Sequence, residues 1–201
     1  MLRVNILDRN KLAHHLAQAF FHDPLYTYSL PTSSHRYRVV VPMMQVMLTY
    51  GLCQGTVDVA PQEAGAAIWL GPEDPFVDHL KMILAGIMAP VMKAGWQGLR
   101  RMLAFSVSLE KIHTRQPLEH WYLFILGVAP KYQGNGVGSR LLETGLARAD
   151  TTGHPCYLET LSESNVGFYR CHGFEITHED ATVSGAPFWT MLRKGKTIKG
   201  L

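Results

Sequence analysis

From Gln133 to Ser139 the chain reads Gln-Gly-Asn-Gly-Val-Gly-Ser, with an apolar run before it and a leucine-rich helical pattern after it. That is the composition of a turn between a strand and a helix. The first backbone N–H groups of such a helix have no internal partners. They point outward, and the helix dipole adds partial positive charge there. A phosphate or diphosphate is the natural guest. Gly134, Gly136 and Gly138 let the backbone turn freely and let a bulky anion approach. Gln133 adds a side-chain donor and Ser139 a hydroxyl in the first turn. Asn135 and Val137 complete the cradle.

Two other side chains carry acid–base chemistry. Glu159 stands in the otherwise apolar stretch Cys156–Leu161. A desolvated carboxylate has a raised pKa and can act as a base or hold a base water. The alternative is a residue on a solvated sheet face. His120 opens the run His120–Val128 and is a second base candidate, with a plain surface histidine as the alternative. His14, His15 and His22 crowd one N-terminal segment, but adjacent positions diverge on a helix and no HExxH spacing occurs, so no metal site is expected. Cys171 reads as a small buried hydrophobe.

These groups need elements to position them. Val4–Leu7 reads as a short strand, and Asp8 can cap a helix carrying Leu12, Leu16, Ala19 and Phe20. A second helix is expected over Arg36–Leu52, with Pro42 in an early turn. "GTVDVA" and "AGAAIWL", separated by turn residues, predict a hairpin. Residues 76–115 read as helical, broken around "APVMKAGWQG". "HWYLFILGV" predicts a buried central strand. The cradle and a helix over Val137–Ala149 follow. "PCYLETL" is the next strand, and "SNVGFYRCHG" a short helix closed by Gly173. "FEITHED" and "PFWTMLRK" are two final antiparallel strands, and the basic C-terminus reads as a frayed tail. This succession predicts an α/β fold with a mixed, mostly antiparallel central sheet flanked by helices.

Composition narrows the function classes. A chain of 201 residues, 47% hydrophobic, can bury a real core and reads as a single domain over residues 1–201. The net charge of +3 suits an anionic ligand but is too weak and scattered for a nucleic-acid partner. Three cysteines without CxxC spacing fit a reducing interior. No apolar run reaches the roughly 20 residues of a membrane span, and the N-terminus lacks the apolar core of a signal peptide. A cytoplasmic location, no membrane partner and no metal are therefore expected.

Three kinds of cradle use such a turn. A P-loop needs a lysine that is missing after Gly138. A dinucleotide fingerprint needs a third glycine where Ser139 stands, although Glu159 lies near the spacing of its acidic partner. The third pattern is Q/R-x-x-G-x-G/A, met by Gln133, Gly136 and Gly138. With it, "LGVAPKYQGNGVGSRLLETGLARAD" resembles the core motif of the GNAT superfamily of N-acetyltransferases. "YLETLSESNVGFYRCHGFEI" resembles its second block and "PFWTMLR" its closing strand. "LAQAFFHDPL" and "GAAIWLGP" look like segments of the puromycin N-acetyltransferase-like branch. The resemblance covers roughly residues 119–193, which would be the acetyl-CoA-binding core, with residues 1–118 on the acceptor side.

The resemblance implies direct acetyl transfer from acetyl-CoA to a primary amine of a small molecule. Backbone groups around Leu126, Gly127 and Val128, freed by a bulge, would pair with the pantetheine arm and polarise the thioester. The cradle would hold the diphosphate. Tyr169 matches the family's general acid, and Asn165 and Phe168 lie in its cofactor-binding block. Glu159, or failing it His120, would take the amine proton. The chain leaves room for a homodimer. A non-catalytic acyl-CoA sensor module is the first alternative, and a dinucleotide-binding oxidoreductase the second.

Overall fold

The computed structural model describes residues 6–117, 119–181 and 185–196. The chain opens with α1 (Ile6–Ala19), α2 (Pro24–Ser29) and α3 (Ser33–Gln54), then a hairpin of β1 (Gly55–Val59) and β2 (Gly65–Leu70). Three helices follow: α4 (His79–Leu84), α5 (Met88–Lys93) and α6 (Gly95–His113). The second half alternates as β3 (Trp121–Val128), α7 (Val137–Thr152), β4 (Cys156–Thr160), α8 (Glu163–Arg170), β5 (Glu175–Ala181) and β6 (Pro187–Arg193). The sheet order is β1-β2-β3-β4-β6-β5. Every pairing is antiparallel except β3 with β4, so the mixed, mostly antiparallel sheet is as expected.

The expected N-terminal strand is not formed. Ile6 and Leu7 open α1, Asp8 lies inside that helix, and Val4 with Asn5 falls outside the described residues. The helix whose face Leu12, Leu16 and Ala17 bury against the sheet extends back through Ile6 and Leu7, so this short apolar run continues α1 and forms no strand of its own. The α3 helix starts at Ser33, three residues before the expected Arg36, so Pro42 sits well inside it rather than in an early turn. In residues 76–115 the helix breaks fall at Gly86 (φ 103°) and Gly95 (φ 71°), the left-handed conformations that glycine adopts without strain. The "APVMK" stretch itself is helical, with Pro90 in the first turn of α5, where a proline costs no hydrogen bond.

Two cores flank the sheet. On one face α1 and α3 bury Leu12, Leu16, Val40 and Met44 against Ile68 and Ile125. On the other, α7 and α8 bury Leu142, Ala149 and Val166 against Trp69, Leu158 and Met191. Each fully buried Leu of this kind contributes about 1.5–3 kcal/mol. The α7 helix comes very close to the sheet at Gly145, which lies directly on the Trp69 indole. Helices α4 to α6 bury less, and leave Leu80, Leu84, Met92 and Trp96 exposed.

Candidate active site

The β3 and β4 strands pair over three residues, Trp121–Leu123 with Cys156–Leu158, and then part. β3 runs on to Val128 along β2, while β4 runs on to Thr160 along β6. The parting leaves the β4-facing edge of β3 open from Phe124 onward. A wedge-shaped cleft in mid-sheet results, with the glycine turn at one lip and the β4–α8 loop at the other.

A bulge decides which side chains face that cleft. Ile68 pairs with Ile125 and Trp69 with Leu123, so Phe124 is the extra residue. Phe124 and Ile125 both pack toward α1 and α3, and Leu126 and Val128 thereby join the α7–α8 side. The expected bulge exists, but at Phe124 and not at Leu126 or Val128. Gly127 then faces α1, where Leu16 and Phe20 leave no room for a β-carbon.

The cradle has the expected shape. Pro130–Tyr132 forms one 3-10 turn, and Gly134 (φ 76°) and Gly136 (φ 71°) take left-handed conformations. Gly136 is the N-cap of α7, and no side chain caps the helix. The first-turn N–H groups around Val137, Gly138 and Ser139 are thus left for an external acceptor. Gln133 to Gly136 are exposed. Gln133 is less free than expected: its Nε2 donates to the Val128 carbonyl at 2.9 Å and ties the end of β3 to the turn. Asn135 Nδ2 donates to the Gln133 carbonyl at 3.1 Å, a second internal brace. Arg140, which the sequence pattern did not single out, reaches the same spot. A β-carbon on Gly136 would stand 3.2 Å from its Nη1. Its signal was its place one turn into the helix behind the N-cap. Open donors, glycine backbone and a guanidinium fit a diphosphate.

The far lip comes from α8. The Phe168 ring lies beside Gly138, where an added β-carbon would touch its Cζ at 3.7 Å. Asn165 Nδ2 donates to Thr160 Oγ1 at 3.3 Å and braces the β4–α8 loop. Tyr169 is buried between Phe168 and Phe174, and burial pushes its phenol well above the ordinary tyrosine range. It therefore keeps its proton at any physiological pH.

Glu159 lies half-buried on the opposite sheet face, toward α3 and α6. Tyr157 donates to its Oε1 at 2.9 Å and Tyr122 to its Oε2 at 3.3 Å. Burial raises the carboxyl to about 7, the two phenol hydrogen bonds opposing that rise. The solvated-face alternative for Glu159 thus does not describe it. His120 is not at the surface either. It is fully buried, its Nδ1 bonded to the Pro117 carbonyl at 2.6 Å and its Nε2 to His113 Nε2 at 2.9 Å. Because the carbonyl can only accept, His120 Nδ1 carries the proton and His113 Nε2 donates to the bare His120 Nε2. Both rings are neutral, and burial, then the neighbouring His120, drives His113 down to about 3. His113, Tyr122 and Tyr157 were not singled out by sequence. The signal for Tyr157 was its place two residues before Glu159 on one strand face, and that for Tyr122 its place opposite Tyr157, visible only once the parallel register is known.

Comparison with known proteins agrees with this geometry. Residues 102–176 match the family model of the acetyltransferase (GNAT) domain. An uncharacterized N-acetyltransferase of Schizosaccharomyces pombe is 27% identical over 179 residues, covering 86% of this chain and 72% of that protein. A crystal structure described as histone acetyltransferase HPA2 and related acetyltransferase from Corynebacterium glutamicum superposes with a TM-score of 0.69 at 24% identity, covering 99% of this chain and 97% of the other. Arylalkylamine N-acetyltransferase 2 from Aedes aegypti gives 0.61 at 14% identity, covering 95% and 96%. Residues 102–176 are thus similar to a GNAT acetyltransferase domain, and the whole chain shares the fold of those two structures.

Proposed function

We propose that this chain is an acetyl-CoA-dependent N-acetyltransferase acting on a primary amine of a small molecule. The observation that carries the reading is the cleft where β3 and β4 part, with an uncapped, glycine-lined helix N-terminus at its lip. The α7 N-terminus and Arg140 hold the diphosphate. The open edge of β3 pairs with the pantetheine arm, Phe168 packs beside the cradle, and Asn165 keeps the β4–α8 loop in place.

The residues then divide the proton transfers. Glu159, directly or through a water, takes a proton from the incoming ammonium. The freed nitrogen attacks the thioester carbonyl, so a C–N bond forms and the C–S bond breaks. Tyr169 gives its proton to the departing sulfur and is reprotonated by the second proton, which the nitrogen sheds as the amide forms, through water. A base near 7 and a phenol that stays protonated are matched to those tasks. His120 has no part in transfer, since its two nitrogens are engaged inside the fold.

A small amine is supported by the segments "LAQAFFHDPL" and "GAAIWLGP", which resemble the puromycin N-acetyltransferase-like branch, and by the arylalkylamine acetyltransferase sharing the fold. A single domain over the whole chain, with the donor core in the second half, fits the continuous sheet. A cytoplasmic setting fits the three free cysteines. The deciding experiment is thiol release from acetyl-CoA over a panel of amines. Transfer to any primary amine, with product acetylated on nitrogen, sustains the reading. Tight CoA binding with no transfer to any amine would leave a sensor module instead.

A further inference from the structure

We infer that the groove between α6 and the β5–β6 hairpin seats the acceptor, and that the acceptor is a primary amine whose apolar body ends in an anionic group. The inference rests on the acetyltransferase reading and adds the acceptor's place and class.

The groove is a cavity of about 330 Å³, within the range of about 300–1,000 Å³ usual for small-ligand sites. Phe188 forms one wall, and Phe105, Leu109 and Ile112 of α6 the other. Two geometric links join it to Glu159. The first is register. Glu159 pairs with Thr190, and Phe188 lies two residues on along β6 on the same face. Such diagonal neighbours stand about 7–8 Å apart. The second is α6 itself. His113, next to Ile112 on that helix, stacks on the Tyr157 ring at 4.6 Å, and Tyr157 holds Glu159. The wall of the groove and the carboxylate are thus fixed to one another. An amine nitrogen at Glu159 has the apolar groove immediately beside it for the rest of its body.

Charge selects the far end. Lys111 and Arg115 line the groove, and neither is in any described ion pair. Asp180 is the one carboxylate among the lining residues, with the His178 imidazole, charged only when protonated, 3.6 Å away. Glu110, the acidic residue beside Lys111, turns to His79 and does not line the groove. Two cations against one carboxylate leave the mouth net positive, which favours a carboxylate or similar anion over a second ammonium.

The test uses three amines of one chain length: aminohexanoate, hexylamine and hexanediamine. The kcat/KM of aminohexanoate should exceed that of hexylamine by about threefold to tenfold, the scale of two partly exposed ion pairs. Hexanediamine should be the poorest. The preference should shrink as salt rises, and the Lys111→Gln/Arg115→Gln variant should bring the aminohexanoate-to-hexylamine ratio to about one. A wild-type ratio at or below one, or a ratio that the double variant leaves standing, overturns the inference. Titration calorimetry of aminohexanoate into CoA-loaded wild type and double variant reads the groove without turnover. Equal binding by both, or by neither, overturns it too. Failure of transfer to every amine, with binding preserved, would instead remove the acetyl-transfer reading.

Discussion

The Tyr157 hydroxyl lies 2.9 Å from Glu159 Oε1, two residues further along the same strand face, and Tyr122 reaches the other carboxylate oxygen from β3. One carboxylate is thus gripped from both strands that border the cleft. If Glu159 is the base, kcat/KM should rise with pH through a limb near 7. Each phenol stabilises the charged form, so Tyr122→Phe should move that limb to higher pH by about one to two units, the effect of one hydrogen bond to a charged group. Glu159→Gln should flatten the limb and lower kcat/KM more than His120→Gln does. The same pH series on all three variants checks this, and a larger loss in the histidine variant would reverse the assignment.

Tyr169→Phe keeps the ring and removes the proton. We expect kcat to fall by roughly 10²–10⁴, with acetyl-CoA affinity nearly unchanged. Steady-state kinetics and calorimetry separate the two effects. A near-normal kcat would make Tyr169 a packing residue between Phe168 and Phe174.

If the α7 N-terminus holds the diphosphate, Gly136→Asp should abolish acetyl-CoA binding, since it adds a side chain at φ 71° and a negative charge beside the first-turn donors. Calorimetry on the folded variant decides it. Arg140→Gln should weaken binding less, because it removes one charge and leaves the backbone donors.

The His113–His120 pair predicts an acid-sensitive fold. His113 falls from 6.5 unfolded to about 3 folded, so the unfolded chain binds the extra proton between those values. Its stabilisation is complete above the unfolded value and is lost as pH falls toward 3, at up to about 1.4 kcal/mol per pH unit. Thermal unfolding across pH 7 to 4 should show this slope, and His113→Gln should flatten it. An unchanged slope would mean that other groups govern the acid limb.

Gly145→Ala should destabilise the fold by about 1–3 kcal/mol, because the new methyl must displace the Trp69 indole. Urea unfolding measures it.

The glycine turn was legible in sequence because its conformation is a backbone property. Three alternating glycines between an apolar run and a helix mark a left-handed turn into a helix N-terminus with no knowledge of the rest. Glu159 was legible as a misfit, a charge in an apolar strand. Half of its grip was not: Tyr157 is two residues away on the same strand, but Tyr122 meets it only through a parallel pairing of strands 35 positions apart, which no local pattern encodes. His120 looked like a surface residue because its partner, His113, arrives from a helix whose end no periodicity fixes. Residues 6 and 7 misled for a related reason: a few apolar residues suit a strand or a helix equally, and here they continue the helix that follows them.

The extra residue at Phe124 acts as a change of phase. Along β3 the side chains alternate in parity, and up to Tyr122 the even positions serve the face that carries Glu159. After one inserted step the even positions, Leu126 and Val128, serve the face that carries α7 and α8. Two successive side chains, Phe124 and Ile125, thus serve the α1–α3 face, while the pairing with β2 runs on unshifted on either side of them. The inserted step is therefore removable. Without Phe124, Leu123 would stay opposite Trp69, and Ile125, Leu126 and Gly127 opposite Ile68, Ala67 and Ala66, with Gly127's bare backbone still against Leu16 and Phe20. Deleting Phe124 should cost one aromatic contact and the local bend of the strand, and leave the glycine turn in register.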